Sequence, residues 1–439
     1  MTIEIELKFI AAAEAASKIA DKLANWPHQH SAGQKLTNIY FETDDSQLRR
    51  WDMGLRIRGF DDSYEMTLKT AGQTVGGLHQ RPEYNVALGQ PELDIALLPA
   101  DVWPAGTDVA ALQQRLNALF STHFVREKWV VTYLKSEIEV AYDCGEVSAG
   151  ALSEPLREIE LELKSGQRDD LLAFAAELAT LEGLRLGSLS KAARGYALAQ
   201  GNPPRPLRPV PLLKVKPKAT VEEGMRSGFL LALSQWQYHE ELWLRGVSGA
   251  LPQIKDALET LRQVFSLYGA LVPRKASSDL RQKLTVLEEA LLEEALLEEN
   301  VSAEKLCFSP VWLETQLALT NWIVTEGWRA FVDQKADAKL QGSFKRFSDI
   351  MLGRIAADLK ETFAHVNHSG EYQDKLTRLH RQLLAVHLLA GAYQPDVVNS
   401  WLQSWQQLQQ AIVSQQEVWL DSHRQQALKQ AAFWKNGSV

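Results

Sequence analysis

The strongest constraint in this chain is an alternation of charge with a period of two residues. Between Ile3 and Phe9, the charged residues Glu4, Glu6 and Lys8 are interleaved with Ile3, Ile5, Leu7 and Phe9. Successive side chains of a strand point to opposite faces, so one face of this segment is charged and the other apolar. A single strand of this kind is ordinarily a solvated edge. Here the pattern returns in strand after strand: Arg56 and Arg58 beside Leu55 and Ile57, then Glu65, Thr67 and Lys69 beside Met66 and Leu68, then Arg81, Glu83 and Asn85. It returns again with Arg126 and Lys128, with Glu137 and Glu139 around Ile138, and with Glu158, Glu160 and Glu162 around Ile159 and Leu161.

Strands are therefore expected at Ile3–Phe9, Gly54–Arg58, Tyr64–Lys69, Tyr84–Leu88, Lys128–Leu134, Glu137–Tyr142 and Glu158–Lys164, with helices at Ala11–Asn25, Val109–Ser121 and Asp169–Leu181. If the apolar face lay inside a small barrel, these helices would have no apolar sheet surface to cover. The opposite arrangement satisfies both: a wide closed barrel with a charged lumen and helices on its outer face.

The chain is 439 residues long, beyond the roughly 250–300 residues at which one core stops growing, so more than one domain is expected. A boundary is visible where Pro203, Pro204, Pro206, Pro209, Pro211 and Pro217 disfavour helix and sheet. Residues 1–200 form the β-rich part, 201–217 a proline-rich basic linker, and 218–433 an all-α helical bundle with apolar residues at three- and four-residue spacing. The linker's Arg205, Arg208, Lys214 and Lys216 are expected to keep an exposed segment solvated. Leu284–Asn300 reads as a helix with a leucine stripe, and the tryptophans of this half as core. His239-Glu240 resembles the start of a zinc-protease helix, but Trp243 stands where a second ligand is required.

The net charge of -8 argues against a protein that coats nucleic acid or an anionic membrane through its overall field. The two cysteines, Cys144 and Cys307, make no disulfide framework, no stretch approaches a membrane span, and a cytoplasmic location is expected. A lumen crowded with like charges is costly unless ligands neutralise it. Guanidinium and ammonium groups suit phosphate oxygens, and carboxylates suit a hard divalent cation on the same phosphates.

Glu4-Ile5-Glu6-Leu7-Lys8 resembles the Glu-x-Glu-x-Lys signature of the CYTH domain, in the triphosphate tunnel metalloenzyme family. Gly54–Arg58, Leu68-Lys69, Arg126–Lys128, Val140–Asp143, Glu158–Glu162 and Ser190-Lys191 through Tyr196 resemble that family's later motifs, in its order. The resemblance covers about residues 1–200. It implies an eight-stranded antiparallel tunnel in an α+β chain and hydrolysis of inorganic triphosphate assisted by Mg²⁺ or Mn²⁺. It further implies Glu4, Glu6, Glu160 and Glu162 as metal-side carboxylates, with Glu137, Glu139 and Asp143 completing the metal set or orienting the basic groups, as Glu65 and Glu158 would. Lys8, Arg56, Arg58, Lys69, Arg126, Lys128 and Lys191 become the phosphate clamp, joined by Arg81 and Arg194. Lys8, Arg56, Arg58, Lys69 and Glu83 become the groups acting at the reacting phosphoryl. Other activities of the same family, such as ATP cyclisation or thiamine or nucleoside triphosphate hydrolysis, and a non-catalytic polyphosphate scaffold, stay open.

The helical half resembles a CHAD domain, which implies binding of longer polyphosphate. It departs from that pattern at Pro252 and at Glu259-Thr260, where His and a basic pair are usual, while His380, Arg381 and His387 are kept.

Overall fold

A computed structural model describes residues 1–297 and 302–435. Its strands are β1 (Thr2–Ala11), β2 (His28–Glu42), β3 (Gly54–Phe60), β4 (Ser63–Lys69), β5 (Gln73–Val75), β6 (Leu78–Leu88), β7 (Asn117–Tyr133), β8 (Ser136–Ala149), β9 (Leu152–Ser165) and β10 (Leu184–Leu186). The helices that accompany them are α1 (Ala16–Leu23), α2 (Gln47–Arg50), α3 (Val109–Arg115), α4 (Arg168–Leu178) and α5 (Lys191–Ala199). After the proline-rich strap follow α6 (Val221–Leu244), α7 (Ala250–Leu267), α8 (Ser278–Leu297), α9 (Ala303–Cys307), α10 (Pro310–Val324), α11 (Gln334–Leu340), α12 (Phe344–Ala364), α13 (Gly370–Leu389), α14 (Pro395–Val413) and α15 (Glu417–Leu428).

Strand neighbours run β1, β9, β8, β7, β2, β3, β4, β6, and β6 pairs back onto β1, so eight antiparallel strands close into a barrel. β10 adds to β1 and β5 to β6 outside the ring. Closure leaves no free edge among the eight. The register brings charges together: Glu6 lies opposite Glu162 and Lys8 opposite Glu160 across β1 and β9, while Glu4 faces Arg81 across β1 and β6.

The chain divides into two compact units that do not follow sequence order: Met1–Arg205 with Val286–Thr325, and Pro206–Thr285 with Glu326–Val439. In the first, the outward residues Leu7, Phe9, Val131, Ile138, Val140, Ile159 and Leu161 are buried under Ile19 and Leu23 of α1 and Leu171, Phe174 and Leu178 of α4. Leu313, Leu317 and Val324 of α10 join the same layer. Gly76, at φ +61°, forms the β5–β6 turn, and a Cβ there would lie 2.1 Å from Thr320 Oγ1 of α10. A second outer layer sets Leu55, Met66 and Leu68 against Ile95, Leu98, Trp103 and Leu112. A third cluster lies inside the barrel, where Leu36, Tyr40, Phe120, Phe124, Val147 and Leu156 pack on Tyr196 and Leu198 of α5.

In the second unit the strap is docked rather than loose. Arg208 N–H donates to His239 Nε2 at 3.1 Å, Gln235 Nε2 donates to the Arg208 carbonyl at 2.8 Å, and Leu213 N–H donates to the His387 carbonyl at 2.9 Å. Val210 and Leu213 are buried, while the basic side chains around them face water. His239 is thus a tether for the strap. Of the expected Leu284–Asn300 helix, the part through Leu297 belongs to α8, with Leu284, Leu287 and Leu291 buried, and residues 298–300 lie outside the described residues.

Two local expectations change. The helix at Val109–Ser121 stops at Arg115, because Leu116 turns extended and Phe120 and Thr122 enter β7 to reach the barrel interior. The long β2 was not expected at all. Its first half, His28–Gln34, carries no alternation, and its buried lumen positions are Leu36, Asn38, Tyr40 and Glu42, which show no run of charge.

Candidate active site

The lumen holds a cavity of about 880 Å³, counting its open mouth. Seven cations line it, Lys8, Arg56, Arg58, Lys69, Arg81, Arg126 and Lys191, with five carboxylates, Glu4, Glu6, Glu83, Glu160 and Glu162. Alternation delivers them: each strand turns its charged set inward and gives its apolar set to the outer layers. Depth can be read along β9, where side-chain exposure rises from 0% at Glu158 through 13% at Glu160 and 29% at Glu162 to 43% at Lys164. The deep end is closed by α5 and the interior apolar cluster. The lumen is therefore a blind well.

At its floor Lys191 Nζ lies 2.8 Å from Asp143 and 2.5 Å from Glu160 and also contacts Glu158. Lys8 Nζ is 3.2 Å from Glu158 and 3.4 Å from Glu160. Arg126 forks onto Asp143 at 2.7 and 2.6 Å and reaches Glu160 at 2.8 Å. The oxygens of Asp143, Glu158 and Glu160 lie within 4.8 Å of one another, but three cations already neutralise them. Each partner compensates a charge that would otherwise cost several kcal/mol to bury. Burial pushes the Asp143 and Glu160 pKa values up, and these cations outweigh it and hold both carboxyls below the usual range.

Higher in the well the balance is looser. Burial, with Arg56 and Arg126 adding to it, depresses the Arg58 pKa toward about 9. A guanidinium so placed stays charged at neutral pH, so an incoming anion relieves its repulsion. Its Nε donates to Asn38 Oδ1 at 2.8 Å, which aims the fork. Arg56 Nη1 donates to the Tyr40 hydroxyl at 3.4 Å. Lys69 Nζ donates to both Glu4 oxygens, at 2.9 and 2.7 Å, and lies 3.9 Å from Glu83. Against the upward push of burial, that ammonium keeps the Glu4 carboxyl below its ordinary value.

Glu6 is different. It is 8% exposed and, among the described residues, accepts no hydrogen bond. Burial and the carboxylates of Glu160 and Glu4 push its pKa up to about 8. Burial likewise raises Glu162. Glu4, Glu6, Glu160 and Glu162 thus bring hard oxygen donors to the wall, a chemistry that suits a hard divalent cation, while the carboxylate oxygens gathered within 4.8 Å of one another are those of Asp143, Glu158 and Glu160.

The twelve charged residues that line the cavity are all among those expected from sequence. Asp143 lies beneath it, bound to Arg126 and Lys191. Glu137 and Glu139 stand on β8 beside the mouth, Glu139 being 4.0 Å from Lys128, and none of these three lines the cavity. Arg194 also lies off it, with Nε donating to Glu154 at 2.7 Å. Tyr40, Thr67, His79 and Ser190 line the cavity without having been assigned from sequence. They are uncharged, or kept so. Burial, then Lys8, Arg81 and Lys69, lower the His79 pKa to about 4. An alternation of charges carries no mark of such residues, though the place of His79, two before Arg81 on the same face, was a usable signal.

Residues 2–196 match the CYTH domain and residues 228–426 the CHAD domain. An inorganic triphosphatase of Haemophilus influenzae is 38% identical over 203 residues, 45% of this chain and 55% of that protein, so the chain spans about half the length of that relative. A Hippeastrum adenylyl cyclase candidate described as having a dominant triphosphatase activity aligns over 46% of this chain and 98% of its own, at 19% identity and a TM-score of 0.33. The CHAD domain of Ricinus communis aligns over 51% of this chain and 90% of its own, at 18% identity and a TM-score of 0.32. Among the described residues no helix is long and apolar enough to cross a membrane.

Proposed function

The chain joins a CYTH domain at residues 2–196 to a CHAD domain at residues 228–426, and from this we propose that its well hydrolyses inorganic triphosphate to diphosphate and phosphate with a bound divalent cation. The observation that carries the reading is the gathering of seven cations and five carboxylates in one blind cavity. Pure anion binding has no use for the carboxylates, and pure metal binding has none for the guanidiniums.

Arg56, Arg58, Lys69 and Arg81 take the phosphate oxygens, the guanidiniums in bidentate fashion. Lys8, Arg126 and Lys191, locked by Asp143, Glu158 and Glu160, form a fixed, charge-paired floor whose donors need little reorganisation as charge develops. Glu4, Glu6, Glu160 and Glu162 would hold Mg²⁺ or Mn²⁺. When bound, such an ion neutralises phosphoryl charge and lowers the pKa of water. Water attacks the terminal phosphorus in line as the bridging P–O bond breaks, and a lumen carboxylate takes its proton.

Among the described residues Tyr40 is the one phenylalanine-, tyrosine- or tryptophan-type side chain lining the cavity, and it is already stacked on Phe120 at 4.5 Å and bonded to Arg56. The His79 imidazole is, among the described residues, the remaining ring in the wall, a small platform for a nucleoside or thiamine group, which favours a purely inorganic substrate over cyclisation of ATP. The work would take place in the cytoplasm, where Cys144 and Cys307 stay reduced. Purified protein with Mg²⁺ should release phosphate from triphosphate far faster than from ATP, thiamine triphosphate or diphosphate. Equal rates on ATP, or no turnover with Mg²⁺ or Mn²⁺, would refute it.

A second reading concerns the helical unit, where Arg262, Arg274 and Arg281 gather around one hollow. That hollow suits a longer polyphosphate chain, although the adjoining groove is self-neutralised by Arg381 on Glu259 and Arg378 on Asp358. Calorimetry with inorganic polyphosphate should detect binding that Arg281→Ala weakens; no heat with either protein would remove this reading.

A further inference from the structure

α5 begins at the floor of the well and ends among the interior apolar residues, so whatever holds it also holds Lys191. Ser190 caps it, accepting from Ala193 N–H at 3.0 Å, and Ser190, Lys191 and Ala192 face the cavity. Two polar ties fix its body. Arg194 Nε donates to Glu154 of β9 at 2.7 Å, and the Tyr196 hydroxyl donates to Glu42 of β2 at 2.6 Å. In the ring of strands β9 and β2 are separated by β8 and β7. α5 is therefore a strut across two strands, packed on the Phe120, Phe124 and Val147 side chains between them.

The Glu42 end of this strut is rigidly built. Glu42 is 3% exposed. One of its oxygens accepts from Thr43 N–H at 2.8 Å and Leu48 N–H at 2.9 Å, and the other from Arg49 N–H at 2.9 Å as well as from Tyr196. A buried carboxylate with donors from three backbone amides cannot turn away, so it dictates where the phenol sits. The ring is held as firmly: the Arg49 guanidinium lies 4.5 Å over its centre and Phe120 meets its edge at 5.2 Å. Beside α5, one stacked route reaches the well, through Phe120 at 4.5 Å from Tyr40, which bonds Arg56, and a variant that keeps the Tyr196 ring leaves that route in place. Neither Glu42 nor Tyr196 lines the cavity.

We propose that Glu42 and Tyr196 are positioning residues: their bond fixes the rotation and depth of α5, seats Lys191 among Asp143, Glu158 and Glu160, and so sets how far a phosphate chain can descend. This rests on the triphosphatase reading given above. Freeing α5 lets Lys191 withdraw from the floor, which weakens the grip on the deepest phosphoryl group and lengthens the well. Binding of the inorganic chain, and discrimination by its length, should respond before the chemical step does.

The test compares the full chain with Tyr196→Phe, which keeps the ring, and with Leu172→Ala, at a buried residue of α4 in the outer layer, on the Leu7 and Phe9 side of the sheet. KM and kcat are measured for inorganic triphosphate and tetraphosphate well below the melting temperature of each protein. For Tyr196→Phe, a lost hydrogen bond to a charged acceptor predicts a rise of about tenfold in KM for triphosphate, kcat within about threefold, and a smaller triphosphate-to-tetraphosphate preference. Leu172→Ala should lose thermal stability with both KM and the preference unchanged. If both variants shift alike, or Tyr196→Phe shifts neither quantity, the positioning role is overturned. Hydrogen exchange of residues 191–199 is read in parallel on the same proteins. Should the unaltered chain hydrolyse no triphosphate, the functional reading fails, while exchange at these amides that accelerates about tenfold in Tyr196→Phe alone still supports the strut and unchanged exchange overturns it.

Discussion

Leu313 sits in α10, more than a hundred residues past the end of the CYTH match, yet it is 0% exposed within the outer layer of the barrel, beside Leu171, Phe174 and Ile159. Replacing it by alanine removes three heavy atoms from a packed site and leaves a cavity, for which core leucine substitutions cost about 2–5 kcal/mol. Leu317, 3% exposed in the same layer, should cost a similar amount, and the two lie one turn apart, so their effects will not simply add. Whole-domain stability is about 5–15 kcal/mol, so the double variant approaches the limit of what the barrel tolerates. The assay is native-state hydrogen exchange, with protection read separately for β1 and β9 and for residues 303–325. The expectation is that Leu313→Ala lowers protection of β1 and β9 by about 2–5 kcal/mol, as it would if α10 were an integral part of the barrel unit. Protection lost in 303–325 alone, with β1 and β9 unchanged, would falsify the claim. By the same reasoning a fragment ending at Thr220 lacks this cover and should melt well below the full chain, even if it retains the whole cavity.

Three further expectations concern the well. Glu6 has a folded-state pKa raised from 4.5 to about 8, so between those values the folded chain holds a proton that the unfolded chain has released, and metal-free protein should lose stability, by a few kcal/mol, as pH rises through that window. Glu6→Gln should abolish this slope in urea titrations and weaken Mn²⁺ binding; parallel slopes for the two proteins would count against it. Arg58→Ala removes a buried guanidinium aimed by Asn38 and should raise KM for triphosphate by about ten- to a hundredfold, from the roughly 1.5–3 kcal/mol of a charged hydrogen bond, which steady-state kinetics will show. Gly195→Ala would put a Cβ 2.0 Å from Phe120 Cδ2, and such overpacking should cost about 1–3 kcal/mol in thermal unfolding.

Much of the barrel was legible because its signal is local. A period of two needs only neighbouring residues, and it placed Glu4, Glu6, Lys8, Arg56, Arg58, Lys69 and Arg81 on faces that the structure turns to one cavity. The signal failed where a lumen position carries no charge. β2 went unseen because Leu36, Asn38, Tyr40 and Glu42 do different jobs: two plug the floor, one aims Arg58 and one anchors α5. The end of α3 was misplaced for a related reason, since tertiary burial of Phe120 outweighed helical spacing.

The sequence by itself determined that this chain builds a barrel charged within and apolar without, followed beyond a proline-rich strap by an all-helical region. Alternation and composition are properties of the chain, and burial of apolar surface has few ways to satisfy them. Only the tertiary structure decided that the lumen is a blind well, that Asp143 and Glu158 are spent neutralising Lys8, Arg126 and Lys191, and that α10 belongs to the barrel's outer layer. Each depends on groups distant in sequence meeting in a low-dielectric interior, where the identity of the partner, which no local pattern encodes, sets the energy.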